Sequence, residues 1–177
     1  MRIRRVITGQ AEGGKGAVVG DEEVWPITVR LAPGAEFHRI WGSDATPEVP
    51  TPTEVSQPND WFPPAGGFRF AFVTVPPDTA AMPEELDMEA ALVEFQEKLP
   101  GLGEVMEPDH PGMHTSDTVD VTFIVSGQAT LELDDGAQVT LGAGDCVVQN
   151  GIRHAWRNPT SEPCTMAVAI VGARRTK

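Results

Sequence analysis

The chain predicts an all-β fold, and three observations carry the prediction. Strand-like segments alternate apolar and polar residues with a period of two. Turn signals recur at intervals of about eight to twelve residues through the second half, as in an antiparallel sandwich or barrel. Only one stretch has a convincing helical period. At 177 residues the chain suits one structural domain, with a core large enough to stand without metal or disulfide staples.

Residues 3–8, 17–20 and 28–32 read as short strands, with Gly13-Gly14 and Pro33-Gly34 as turns between them, and are expected to extend a sheet. Residues 47–67 hold many prolines, no helical period and one aromatic pair, Trp61-Phe62. Such a stretch is a long loop or arm, either contributing to a binding site or wrapping the surface with the tryptophan packed into the core. The alternation of Phe68, Phe70 and Phe72 against Arg69, Ala71 and Val73 predicts a strand that Pro76-Pro77 stops. Met88, Ala91, Leu92, Phe95 and Leu99 then follow helical spacing, Glu89, Glu94, Glu97 and Lys98 take the wet side, and Pro100-Gly101 ends the helix. That helix is expected over one edge of the barrel, where its apolar stripe either packs on the core or closes a mouth. From Thr118 the chain reads as a meander, through a turn at Gly127, a hairpin at Asp135-Gly136, a tight turn at Asn150-Gly151 and a last strand over residues 164–171. The expected division is residues 1–67 as N-terminal strands and a proline-rich arm, and 68–177 as the barrel. There is no internal repeat.

Two segments of the meander aim polar groups at one face. Alternation places Asp120, Thr122, Ile124 and Ser126 on one side of a strand, with Val119, Val121, Phe123 and Val125 as an apolar wall facing the next layer. After Asn150-Gly151, the side chains of His154, Trp156 and Asn158 share a face.

These segments, Met113-His114-Thr115-Ser116-Asp117-Thr118-Val119-Asp120 running to Gly127, and Gly144-Asp145 running through Gly151, His154 and Asn158, resemble the paired motifs of the cupin superfamily. The first motif reads His-x-His, then Glu, then Gly; here Gly127 sets the register, His114 falls at the first His, Ser116 at the second and Asp120 at the Glu. The later half of the second motif is kept, although its proline is absent and the stretch from Gly144 to Gly151 is one residue short. The run resembles a subgroup of small single-domain cupins, some labelled cupin-domain oxidoreductases, found beside polyketide or aromatic pathways. The resemblance implies a jelly-roll barrel with an N-terminal strand extension and one short helix. It also implies a divalent transition metal (Fe, Mn, Ni or Zn) held by His114, Asp120 and His154. Two imidazoles and one carboxylate with open positions suit such ions.

With metal, the expected protein is an oxidoreductase on an aromatic or polyketide-like substrate, with Asp120 and His154 catalytic and Thr122, Trp156 and Trp61 binding the substrate. Without metal, an Asp120–His pair suits proton transfer in a lyase or isomerase such as a dehydratase or decarboxylase; a non-catalytic binding protein is the third reading. His38, beside Trp41, reads as a packing residue and His110 as a solvated loop residue.

The balance of 13 Lys and Arg against 26 Asp and Glu, a formal charge of −13, argues against nucleic acid or an anionic membrane as partner. A small organic ligand is the expected partner. Nothing resembles a membrane span or an apolar signal core, so a cytoplasmic protein is expected. Cys146 and Cys164 read as small buried strand residues. An isologous homodimer, by edge pairing or arm exchange, is expected from the strand-rich extension.

Overall fold

A computed structural model describes residues 1–50 and 58–176, so the middle of the proline-rich arm lies outside the described residues. The architecture is the expected jelly-roll of antiparallel strands. Five strands form one sheet: β3 (Glu36–Ser43), β4 (Phe68–Val75), β10 (Cys164–Gly172), β5 (Thr118–Ser126) and β8 (Cys146–Asn150), in that order. Facing it are β7 (Gln138–Gly142), β6 (Gln128–Glu132) and β9 (Ala155–Arg157). Ile124, Leu131, Met166 and Ile170 pack into the core, which also takes Trp61 from the arm and Leu99 and Leu102 from beyond the helix.

The N-terminal strands β1 (Ile3–Gln10) and β2 (Gly16–Val24) pair only with each other among the described residues, correcting the expectation that they extend a sheet. Residues 28–32 are not a strand: the Ala32 N–H donates to the Val29 carbonyl and the Ala35 N–H to that of Ala32, so the chain turns there. The strand follows instead as β3, paired along β4, N-terminal to the expected division at residue 67.

The helix α1 (Met88–Lys98) falls where its spacing predicts, N-capped by the Asp87 carboxylate accepting from the Ala90 N–H at 3.0 Å. Its stripe divides. Ala91 is buried within it and Leu99 just beyond, whereas Met88 and Leu92 are about half exposed at the rim of the internal cavity.

Gly127 joins β5 to β6 with φ +76, and a Cβ there would lie 2.4 Å from the Pro163 carbonyl oxygen. The turn is therefore closed to any side chain. The Asn150-Gly151 corner, with Gly151 at φ +64, does not close a hairpin. It carries the chain from β8 in one sheet to β9 in the other.

Candidate functional site

β5 is a polar-inward strand. Asp120, Thr122 and Ile124 are buried on the inner face, while Val121, Phe123 and Val125 are exposed on the outer one. The two faces are those expected, but the apolar wall meets no further layer among the described residues, and Ser126 is exposed at the strand end. Asp120 and Thr122 open into a cavity of about 710 Å³ between the sheets. Its walls are apolar, drawn from Phe37, Phe62, Val73, Trp156 and Met166 among others, and α1 with the segment from Leu102 to Pro111 forms the rim.

His114 and His154 enter this cavity as a pair. Their backbones form an antiparallel bridge, each N–H donating to the other's carbonyl at 2.9 and 3.0 Å. Side chains opposite each other in such a bridge share a face, and the ring centroids lie 4.2 Å apart at 54°. His114 Nδ1 is 3.0 Å from the Gly112 carbonyl oxygen and His154 Nδ1 is 2.9 Å from that of Ile152. A carbonyl oxygen only accepts, so each Nδ1 carries a proton and each neutral ring keeps its lone pair on Nε2. Arg153 fixes the bridge, donating to both Glu107 oxygens at 2.6 and 2.7 Å and pinning the rim segment to the chain beside His154.

The electrostatics follow from enclosure. Burial pushes the Asp120 carboxyl up to about 6, with the Thr118 hydroxyl offsetting part of the rise. Burial lowers His114, and burial together with the adjacent His114 ring brings His154 down to about 4. Asp120 Oδ1 and Gln149 Oε1 are fully enclosed without a hydrogen-bond partner among the described residues. Their backbones are directly paired across β5 and β8, so both side chains point into the cavity.

Of the residues the sequence nominates, the structure brings His114, Asp120, Thr122, Trp61, His154 and Trp156 to the cavity wall. Trp61 is largely core, its ring edge-on to Phe37 at 5.3 Å. Asn158 does not join His154 and Trp156. Its amide donates to the Val75 and Glu162 carbonyls at 3.1 and 2.8 Å and its oxygen accepts from Thr160, tying the β9–β10 connection to β4. Ser116 is buried against Thr118 at 2.7 Å, away from the cavity. His38 is buried on β3 outside the cavity wall and His110 lies exposed beside Glu107. Both cysteines are free; Cys164 is buried as expected and Cys146 is exposed. The sequence reading left out Gln149, whose signal was its place on β8 opposite Asp120, legible only once strand pairing is known.

The implied transition metal fails on the donor set. Among the described residues no three His, Cys, Asp or Glu side chains converge into a group that could hold an ion. The two imidazoles are adjacent, but Asp120, one methylene shorter than the Glu that the motif carries at that position, does not form a group of three with them. The cavity is apolar-walled, with a polar end formed by His114, Asp120, Gln149 and His154.

Residues 102–171 match the cupin domain family. Oryzines biosynthesis cluster protein J of Aspergillus oryzae is 28% identical over 149 residues, covering 76% of this chain and 82% of that protein. Phomopsin biosynthesis cluster protein D of Diaporthe leptostromiformis is 39% identical over 46 residues, 26% of this chain and 24% of that protein. Among solved structures, a putative ethanolamine utilization protein of Salmonella typhimurium aligns over 98% of this chain and 99% of its own at a TM-score of 0.46 and 9% identity. A cupin 2 conserved barrel domain protein of Salinispora arenicola covers 82% of each chain at 0.42 and 19% identity.

Proposed function

From the premise that this chain is a small cupin-superfamily protein with its cupin domain over residues 102–171, we propose that it is an acid–base enzyme acting on a small organic molecule held in the inter-sheet cavity. One observation carries the reading: one apolar-walled cavity is lined both by a carboxyl raised to about 6 and by a pair of imidazoles of fixed tautomer, one of them lowered to about 4. Opposed environments of this kind separate an acid from a base. A neutral Nε2 of the histidine pair removes a proton from carbon next to a carbonyl, and the Asp120 carboxyl gives one to the oxygen. The enol so formed becomes an isomer when the imidazolium returns its proton to a different carbon and the enol O–H returns its own to Asp120. Where Asp120 instead protonates a hydroxyl on the β-carbon, that hydroxyl departs as water and the imidazolium proton passes back to Asp120, so both groups are restored. Similarity to proteins named for biosynthesis clusters supports a small-molecule substrate.

The test is hydrogen exchange into uncharged β-diketones and hydroxyketones in deuterated water, followed by mass spectrometry, with elemental analysis of the purified protein. Exchange that falls by about 10²-fold or more in both Asp120→Asn and His154→Ala supports the reading. Unchanged exchange in those variants sinks it, as does a stoichiometric transition metal that disappears in His154→Ala, an outcome that restores the metal-dependent oxidoreductase.

We propose further that two copies pair through the outer face of the five-stranded sheet. Val121, Phe123, Val148 and Val171 are exposed there without a charged residue among them, on a chain of net charge −13. Like-charged molecules meet at least cost through an uncharged patch. The patch is also self-complementary: Ala167 and Ala169 of β10 form a shallow furrow beside the ridge of Val121 and Phe123, their partners on β5. A two-fold axis lays the ridge of one copy in the furrow of the other.

A further inference from the structure

The polar end of the cavity carries donors in the Gln149 amide N–H groups and the Thr122 hydroxyl, but its unpartnered atoms are acceptors. His114 and His154 each spend their ring proton on a backbone carbonyl. Each Nε2 is therefore a bare lone pair, and neither has a partner among the described residues. Asp120 Oδ1 and Gln149 Oε1 are acceptor atoms enclosed without a partner. No lysine or arginine lines the cavity among the described residues; its remaining ionisable side chain, Glu107 at the rim, is negative and occupied by Arg153. Arg39 and Arg69 lie outside the cavity on the other side of Trp61, with Arg69 held by Asp44 and by the Asp60 and Ser43 carbonyls.

Four unpartnered acceptors and no cation define what can dock. A carboxylate or phosphate brings only acceptors, finds no counter-charge and meets negative groups. An ether or a ketone leaves the acceptors as unsatisfied as before. A hydroxyl supplies the missing donor while its carbon frame covers the apolar wall, and two neighbouring hydroxyls can engage both imidazoles, whose rings are 4.2 Å apart. The volume of about 710 Å³ admits a whole small molecule of this kind rather than a substituent of a larger one.

We infer that the ligand is an uncharged hydrogen-bond donor, a phenol, enol or alcohol on an apolar frame and best a vicinal pair of hydroxyls, and that the cavity rejects carboxylates and phosphates. This deepens the acid–base reading and rests on the same cavity being the site. It differs from that reading in being a statement about equilibrium binding, legible without turnover.

The experiment is calorimetric titration in the presence of a chelator, so that a bound ion cannot mediate, with a series on one frame: naphthalene-2,3-diol, its monomethyl ether, its dimethyl ether and 2-naphthoate. Affinity is expected to fall in that order, by tenfold or more from diol to diether, with no binding of the carboxylate. In His154→Phe the diol preference should shrink to threefold or less while the diether binds as to wild type. Equal binding of diol and diether by the wild type, or binding of 2-naphthoate, overturns the inference; because these readings come from the wild type, they stand even if the variant does not fold. A preserved diol preference with no catalysed exchange in deuterated water discards the acid–base reading alone. Catalysed exchange with no diol preference discards the ligand inference alone.

Discussion

Burying the Asp120 carboxyl costs the fold most where it is ionised. Its value of about 6 in the fold lies above the ordinary 3.8, so below about pH 3.8 the group is neutral in both folded and unfolded chains and exacts no penalty. As pH rises from about 3.8 to about 6 the unfolded chain ionises first and stability declines, and above 6 the folded protein carries an enclosed carboxylate at the full penalty. Asp120→Asn, close in shape and unable to ionise, is therefore expected to raise stability at pH 8 by up to roughly 3 kcal/mol relative to its effect at pH 3.5, measured by urea denaturation at both. His154 has the opposite sign, since its value of about 4 lies below the ordinary 6.5 and stability is lost as pH falls between them. The same two groups predict a bell-shaped dependence of kcat/KM on pH, highest between about 4 and about 6, where the acid is protonated and the base is free. A rate that rises steadily to pH 9 would remove Asp120 as the acid. At this scale the sequence was informative: the motif resemblance, in register with Gly127 and Gly151, singled out His114, Asp120 and His154 as metal ligands, and all three line the cavity. It could not show that Asn158 turns back onto its own loop, because that depends on carbonyls of Val75 and Glu162 reaching it from other segments.

Among the elements, β5 shows what alternation does and does not contain. A period of two separates Asp120 and Thr122 from Val121 and Phe123, but hydrophobicity alone assigns the apolar side to the core, whereas here that side is outside and Phe123 is 45% exposed. The turn that ends β5 fixes its register. Gly127→Ala puts a methyl against the Pro163 carbonyl at a positive φ, and a loss on the order of 3 kcal/mol or more is expected by thermal or chemical denaturation. Asn158→Ala strands the groups that hold the β9–β10 connection and is expected to cost about 2 to 4 kcal/mol, seen as a lowered denaturation midpoint with unchanged ligand selectivity. The helix α1 was legible from spacing and caps because those are local. The strand β3 was not anticipated and residues 28–32 were expected as one, because nothing in local propensity says which of two neighbouring extended segments will find a partner strand.

For the whole molecule, the exposed sheet face predicts assembly. Sedimentation velocity is expected to give a dimer for the wild type and a folded monomer for Phe123→Glu or Val148→Lys, since either variant buries an unpaired charge against the apolar patch of the other copy. A wild-type monomer across the micromolar range would remove the proposed interface. The N-terminal hairpin remains outside the two main sheets, held to β3 by Arg5, which donates to the Ile40 carbonyl at 2.7 Å and lies over the Trp41 ring.

By itself the sequence determined that this is an all-β chain with one helix, where most turns fall, and which three ionisable residues belong to the cavity, because period, turn chemistry and motif spacing act over a few residues. Only the tertiary structure decided which face of β5 is enclosed, that Gln149 stands beside Asp120, and that the imidazole pair does not close with the carboxylate into a metal-binding group. Those outcomes depend on the registry of strands far apart in the chain, and on enclosure, which shifts a proton's affinity only after the walls have met.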